Sequence, residues 1–267
     1  MTRRASEGRA GGGSTGASGG SGGASRTGPP GTKASRPFIV AIDGPAGAGK
    51  STASRLAAAR LGFAMVDTGA IYRAVALAAT RRGVALDDDA RLAEVIPTVD
   101  LRFAPPAAPD GGQRVLLGDE DVSALIRTPA MSLGASRVSA RPVVRAGLLE
   151  LQRRLALAPG NAGAVLEGRD IGTVVFPDAD VKFFLTASAE ERARRRHAEL
   201  RAKGDPQPFE DVLADQLRRD RDDSERAVAP LRPAHDAIVV DTTGTPLADV
   251  VERIVRDVGA RRGAPRG

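Results

Sequence analysis

Cysteine is absent from this sequence of 267 residues, which excludes disulfide bonds and thiolate metal sites. Long apolar runs are missing as well. No stretch of about 18 apolar residues occurs, and the first residues lack the apolar segment of a signal peptide, so the expectation is a cytoplasmic chain with no membrane contact. Histidine is scarce: His197 and His235 are the two, and neither sits in a motif that marks a reactive site. Asn161 is the single asparagine, so the Asn-Lys-x-Asp guanine reader of GTPases has no counterpart.

Among the residues present, 42% are hydrophobic, enough for a buried core. The net charge is +6, a value that would suggest a nucleic-acid partner if it lay on the folded body. The positive charge is concentrated at the ends. Arg3, Arg4, Arg9, Arg26, Lys33 and Arg36 oppose only Glu7 at one end, and Arg261, Arg262 and Arg266 are unopposed at the other. The body between them is left slightly acidic, so solvated basic ends are expected rather than a nucleic-acid arm. Residues 1–36 are nearly all Gly, Ser, Ala, Thr, Pro and Arg, a composition that cannot bury enough apolar surface to offset chain entropy. A disordered tail is expected there, and a second basic tail over 258–267.

Order is expected from Pro37, where Phe38-Ile39-Val40-Ala41-Ile42 suits a strand buried on both faces. A helix over about 50–60, a strand over 63–66 and a helix over about 70–82 follow, a βαβα pattern that implies a parallel sheet covered by helices. Further strands fit at 164–166, 181–185 and 237–240, with a closing helix from about Pro246. Residues 99–126 break the alternation: Val99 to Phe103 has period two, and a Pro/Gly-rich turn from Pro105 to Gly112 leads to Arg114 through Leu117. A small mixed insertion lobe over about 97–158 is expected, within a single ordered domain over 37–257.

Gly44-Pro45-Ala46-Gly47-Ala48-Gly49-Lys50-Ser51 matches G-x-x-x-x-G-K-[ST], between a predicted strand and a predicted helix. Glycines allow backbone N–H groups to turn inward around phosphate oxygens, and the helix N-terminus adds its positive end. Lys50 reaches the β- and γ-phosphates, the Ser51 hydroxyl is suited to Mg²⁺, and Thr52 completes the predicted ATP-binding segment. The fold class expected is therefore α/β, a P-loop NTPase fold. Asp241-Thr242-Thr243-Gly244 looks like a GTPase switch motif, but it ends the last strand near the C-terminus and is not read as one.

Two further motifs follow strand ends, where ligands bind in open parallel sheets: Asp67-Thr68-Gly69-Ala70-Ile71-Tyr72-Arg73 and Glu167-Gly168-Arg169-Asp170-Ile171-Gly172-Thr173. With Arg219 through Pro230, they make the sequence similar to the bacterial cytidylate kinases, a branch of the nucleoside monophosphate kinases, from about Phe38 to about Asp257. The resemblance implies phosphorylation of CMP and dCMP by ATP, in pyrimidine nucleotide metabolism, by a monomer. It implies that Ser136, Arg145 and Asp170 read cytosine, that Arg73 and Arg169 hold the acceptor phosphate, and that Arg219 and Asp223 hold the ribose beside Thr68 and Tyr72. Thr68 stands where serine is expected in much of the family, and the hydroxyl is kept. Cytosine offers an amine donor and two acceptors, which calls for one carboxylate and one or two donors. Arginine forks suit pairs of phosphate oxygens.

The resemblance also implies a lid over about 190–206, where Arg192, Arg195 and Arg196 share one helical face. Lys50, Arg195, Arg219 and Arg226 are expected to stabilise the transferring phosphoryl group. Glu167 and Asp170 are both candidates for a second acid near the metal. Two alternatives stay open at this point: a kinase for another small acceptor such as UMP, AMP or shikimate, and a nucleotide-dependent module that binds RNA through the basic tails.

Overall fold

A computed structural model of the chain describes residues 36–105, 112–202 and 204–263. The tail expected over 1–36 lies outside the described residues except for Arg36, as do most of the turn at 105–112 and the last four residues. Strand β1 (Phe38–Asp43) is buried at every position and lies between β6 (Gly163–Glu167) and β7 (Val181–Thr186). Strand β2 (Ala64–Asp67) pairs with β6, and β8 (Ile238–Asp241) pairs with β7. The order is β2-β6-β1-β7-β8 with every pairing parallel. Such strands need apolar side chains on both faces, which is why they read as unbroken runs. The expected α/β fold is present.

Helices cover both faces. On one, α1 (Lys50–Leu61) and α8 (Leu247–Gly263) enclose Val40, Ile42, Phe183, Leu185 and Ile254. On the other, α2 (Thr68–Arg81), α3 (Asp89–Val95), α4 (Pro129–Ser139) and α5 (Pro142–Ala156) share a core with Ile39, Ala41 and Leu166. Asp67 begins α2 by accepting the Ala70 N–H at 2.8 Å, an N-cap that satisfies one orphan donor of the first turn.

Two expectations need correction. The basic tail expected over 258–267 is helical as far as Gly263, because Val250, Val251, Ile254 and Val258 recur at helical spacing and pack inward. Arg262, counted as part of that tail, covers the Phe63 ring at 5.4 Å. The insertion over about 97–158 contains a small antiparallel sheet, formed by β3 (Leu101–Ala104), β4 (Arg114–Leu117) and β5 (Glu120–Asp121). Among the described residues it has no core of its own, however: Val138 of α4 and Val144 and Leu148 of α5 are buried in the same cluster as the main sheet.

Helices α6 (Ala189–Ala202) and α7 (Phe209–Glu225) stand apart from this core. They hold a minimal cluster of Ala193, Leu200 and Val212, with Phe209 and Leu213 against it.

Candidate active site

The site forms where the parallel strands end. Gly44, Gly47 and Gly49 have φ of 145°, 77° and 81°, values that only glycine adopts readily. At Gly44 space is decisive too, since a Cβ there would lie 1.9 Å from the Leu185 carbonyl oxygen. The phosphate loop can therefore cross the end of β7 only with glycine. Lys50 is buried and donates to the Pro45 carbonyl at 2.7 Å. Burial, with Arg169 nearby, pushes its ammonium down to about 7. Ser51 donates to Glu167 Oε1 at 2.7 Å, and Glu167 Oε2 is buried without a partner among the described residues. Burial and the neighbouring Asp67 hold the Glu167 carboxyl above its usual range.

The acceptor motifs converge on the same place. Asp67 and Glu167 are register partners on β2 and β6, and Thr68 donates to the Glu167 carbonyl at 2.6 Å. Arg73 meets Asp67 at 3.0 Å, and Arg169 meets Asp223 of α7 at 2.9 Å. Arg145 of α5 ion-pairs with Asp170 in the interior, where both side chains are below 10% exposed. Its guanidinium lies 5.8 Å from the Tyr72 ring centre, within the range of a cation–π contact. Arg226 donates through Nε to the Ala229 carbonyl at 2.6 Å, and its buried Nη2 has no partner among the described residues. Burial lowers the pKa of both Arg219 and Arg226.

One cleft of about 990 Å³ joins these groups, lined by the loop from Ala46 to Thr52, by Thr68, Tyr72, Arg73, Ser136 and Arg145, and by Arg169, Asp170, Arg219, Asp223 and Arg226. It continues past the phosphate loop to Thr242 and Leu247. Every residue expected at the site lines it except Gly44 and Pro45, which form the turn beneath. Of the two candidate acids near Ser51, Glu167 touches it, whereas Asp170 is committed to Arg145.

The lid arginines divide. Arg195 donates to the Thr242 hydroxyl at 3.0 Å and to its carbonyl at 2.6 Å, beside Gly49, and Arg196 also lines the cleft. Arg192 does not join them. It is buried, forms two hydrogen bonds to Asp220 of α7 and donates to the carbonyls of Ala46 and Ala187. The shared-face reading failed there because α7 packs on α6 at that turn and supplies a carboxylate. Sequence reasoning gave no role to Asp43 and Thr242. The Asp241-Thr-Thr-Gly244 stretch was the signal for Thr242, whose hydroxyl donates to the Ala48 carbonyl at 3.2 Å. The stretch thus braces the phosphate loop.

Comparison with known proteins gives a consistent picture. The family model described as cytidylate kinase matches residues 40–260. A cytidylate kinase from Geobacter sulfurreducens is 52% identical over 232 residues, covering 87% of this chain and 97% of that protein. Another from Geobacter sp. (strain M21) is 53% identical over 224 residues, covering 84% and 93%. One from Carboxydothermus hydrogenoformans is 49% identical over 222 residues, covering 83% and 97%. With the phosphate loop, the acceptor motifs and the α7 arginines brought into one cleft, and with this match over nearly the whole described body, the chain belongs to the cytidylate kinase family of phosphotransferases.

Proposed function

We propose that this protein transfers the γ-phosphoryl group of ATP to CMP and dCMP, yielding ADP and the cytidine diphosphate, as a cytoplasmic monomer. The observation that carries the acceptor is the buried Arg145–Asp170 pair beneath Tyr72, which opens onto the cleft that also holds the phosphate loop. A carboxylate there accepts from the cytosine amine, and the guanidinium and the Ser136 hydroxyl donate to the base acceptors. An acceptor with a carbonyl in place of the amine leaves Asp170 facing an acceptor, a mismatch that polar sites reject strongly.

Arg73 and Arg169 grip the acceptor phosphate, exchanging part of their pairing with Asp67 and Asp223 for phosphate oxygens. Asp223 and Arg219 then hold the sugar, beside Thr68. An anionic acceptor oxygen attacks the γ-phosphorus in line, and the bond to the β,γ-bridging oxygen breaks as ADP leaves. The nucleophile needs no general base, so positioning and charge neutralisation do the work. Lys50, Arg195, Arg219 and Arg226 supply positive charge around the transferring group.

The residues present fit Mg²⁺: the Ser51 hydroxyl is suited to the ion, and the unpartnered Glu167 Oε2 beside it suits a water in the ion's shell. When bound, the ion neutralises charge on the phosphates. Helix α6, within the lid expected over about 190–206, closes over the bound phosphates. Its small apolar cluster, shared with α7, is separate from that of the sheet, so the motion exchanges polar contacts such as those of Arg192 and Arg195 without disturbing the main core.

A coupled ADP-release assay with Mg-ATP against CMP, dCMP, UMP, AMP and shikimate tests the reading. Turnover with CMP and dCMP, falling about a hundredfold or more in Asp170→Ala, is expected. Preference for another acceptor overturns the cytosine assignment. Folded, ATP-binding protein silent across the panel overturns the kinase reading.

A further inference from the structure

Asp43 is the last residue of β1 and immediately precedes the phosphate loop. It is a buried carboxylate, 4% exposed, and the transfer described above does not use it. Its two oxygens accept the backbone N–H groups of Ile171 and Gly172, each at 2.8 Å. Those two amides open the single π-helical turn Ile171–Val175, whose internal bonds run from Val174 and Val175 to the Asp170 carbonyl and from Phe176 to the Ile171 carbonyl. The first amides of a helical turn have no partner within it. A residue 128 positions away in the chain therefore caps the turn that follows Arg169 and Asp170.

We infer that Asp43 is a positioning residue for the acceptor: its carboxylate ties the start of the phosphate loop to the Arg169–Asp170 segment and sets the spacing between bound donor and bound CMP. This rests on the CMP reading and deepens it. Two converging N–H donors require two acceptor oxygens, which a carboxylate supplies and an amide does not. An asparagine keeps one bond and turns an NH₂ group toward the other donor, leaving a buried N–H unmatched. Burial pushes the Asp43 carboxyl up to about 6, against the pull of these two bonds. The protein thus keeps an ionised group where burial disfavours it. The segment it braces also has little freedom elsewhere, since the Gly168 N–H is bonded to the Ile42 carbonyl at 3.0 Å and a Cβ on Gly172 would press on Lys182. Small displacements of reacting groups lower rates steeply.

The test is steady-state kinetics of Asp43→Asn beside the parent enzyme, varying CMP, UMP and ATP separately. The KM for CMP is expected to rise by about tenfold or more and the preference for CMP over UMP to shrink, with the KM for ATP within about twofold of the parent. An unchanged CMP constant in folded Asp43→Asn overturns the inference. So does an equal rise for ATP, which would make Asp43 a general support of the phosphate loop. If the variant does not fold, amide hydrogen exchange of the nucleotide-free parent decides: Ile171 and Gly172 are expected to be strongly protected, and rapid exchange at both overturns the inference. A parent enzyme without CMP turnover would count against the CMP reading, while the exchange experiment would still judge the brace.

Discussion

The two halves of the cleft are built from different materials. The donor half is backbone: glycines with positive φ, a helix N-terminus and one lysine, all within eight consecutive residues. The acceptor half is side chains, drawn from α2, α4, α5, the loop after β6 and α7, and several of them are ion-paired: Arg73 with Asp67, Arg145 with Asp170 and Arg169 with Asp223. Local chain geometry can make a phosphate nest, because every phosphate presents the same oxygens. A base with a particular donor and acceptor pattern needs groups at chosen positions in space, and no short segment provides them.

That contrast is open to direct attack. Lys50→Ala, on the donor half, should lower kcat by about a thousandfold with every acceptor alike, measured as ADP release under saturating CMP and then saturating dCMP. Survival of turnover would mean that the loop binds phosphate without contributing to transfer. Arg145→Met, on the acceptor half, should act selectively, raising the KM for CMP by about a hundredfold and leaving the KM for ATP unchanged, because it removes a base contact and strands the buried Asp170. A matching loss for ATP would erase the division into halves.

The smallest effect concerns the joint between them. Asp43 has its folded pKa raised from 3.8 to about 6, so the stability it contributes is fully present below 3.8 and is lost as pH rises through 6. The stability of the parent minus that of Asp43→Asn should therefore fall by about 2 kcal/mol between pH 4 and pH 7. Urea midpoints of the two proteins at both pH values measure it. A difference that stays flat would show that the carboxylate does not titrate in that window.

The phosphate loop was legible because its chemistry and its sequence are contiguous, and the buried strands were legible because parallel sheets demand unbroken apolar runs. The acceptor residues entered through resemblance, and the structure shows why composition alone could not have supplied them: Arg145 reaches Asp170 from a helix whose face toward the cleft is set by packing of Val144 and Leu148 against the main sheet. Arg192 marks the opposite case. Its position on the helix gave it the same face as Arg195, and only α7 and Asp220 turned it into a buried clamp. Glu167 was one of two candidates until the register of β1 and β6, which sets Glu167 opposite Ile42 just before the phosphate loop, brought it to Ser51.

By itself, the sequence determined the α/β alternation, the phosphate loop and the absence of thiol chemistry, because each follows from local conformational preference or from composition. Tertiary structure alone decided which carboxylate meets Ser51, which arginine faces the cleft and that Asp43 caps a turn 128 residues away. These are contacts between distant segments. Their partners are chosen by strand register and helix packing, which no local pattern encodes.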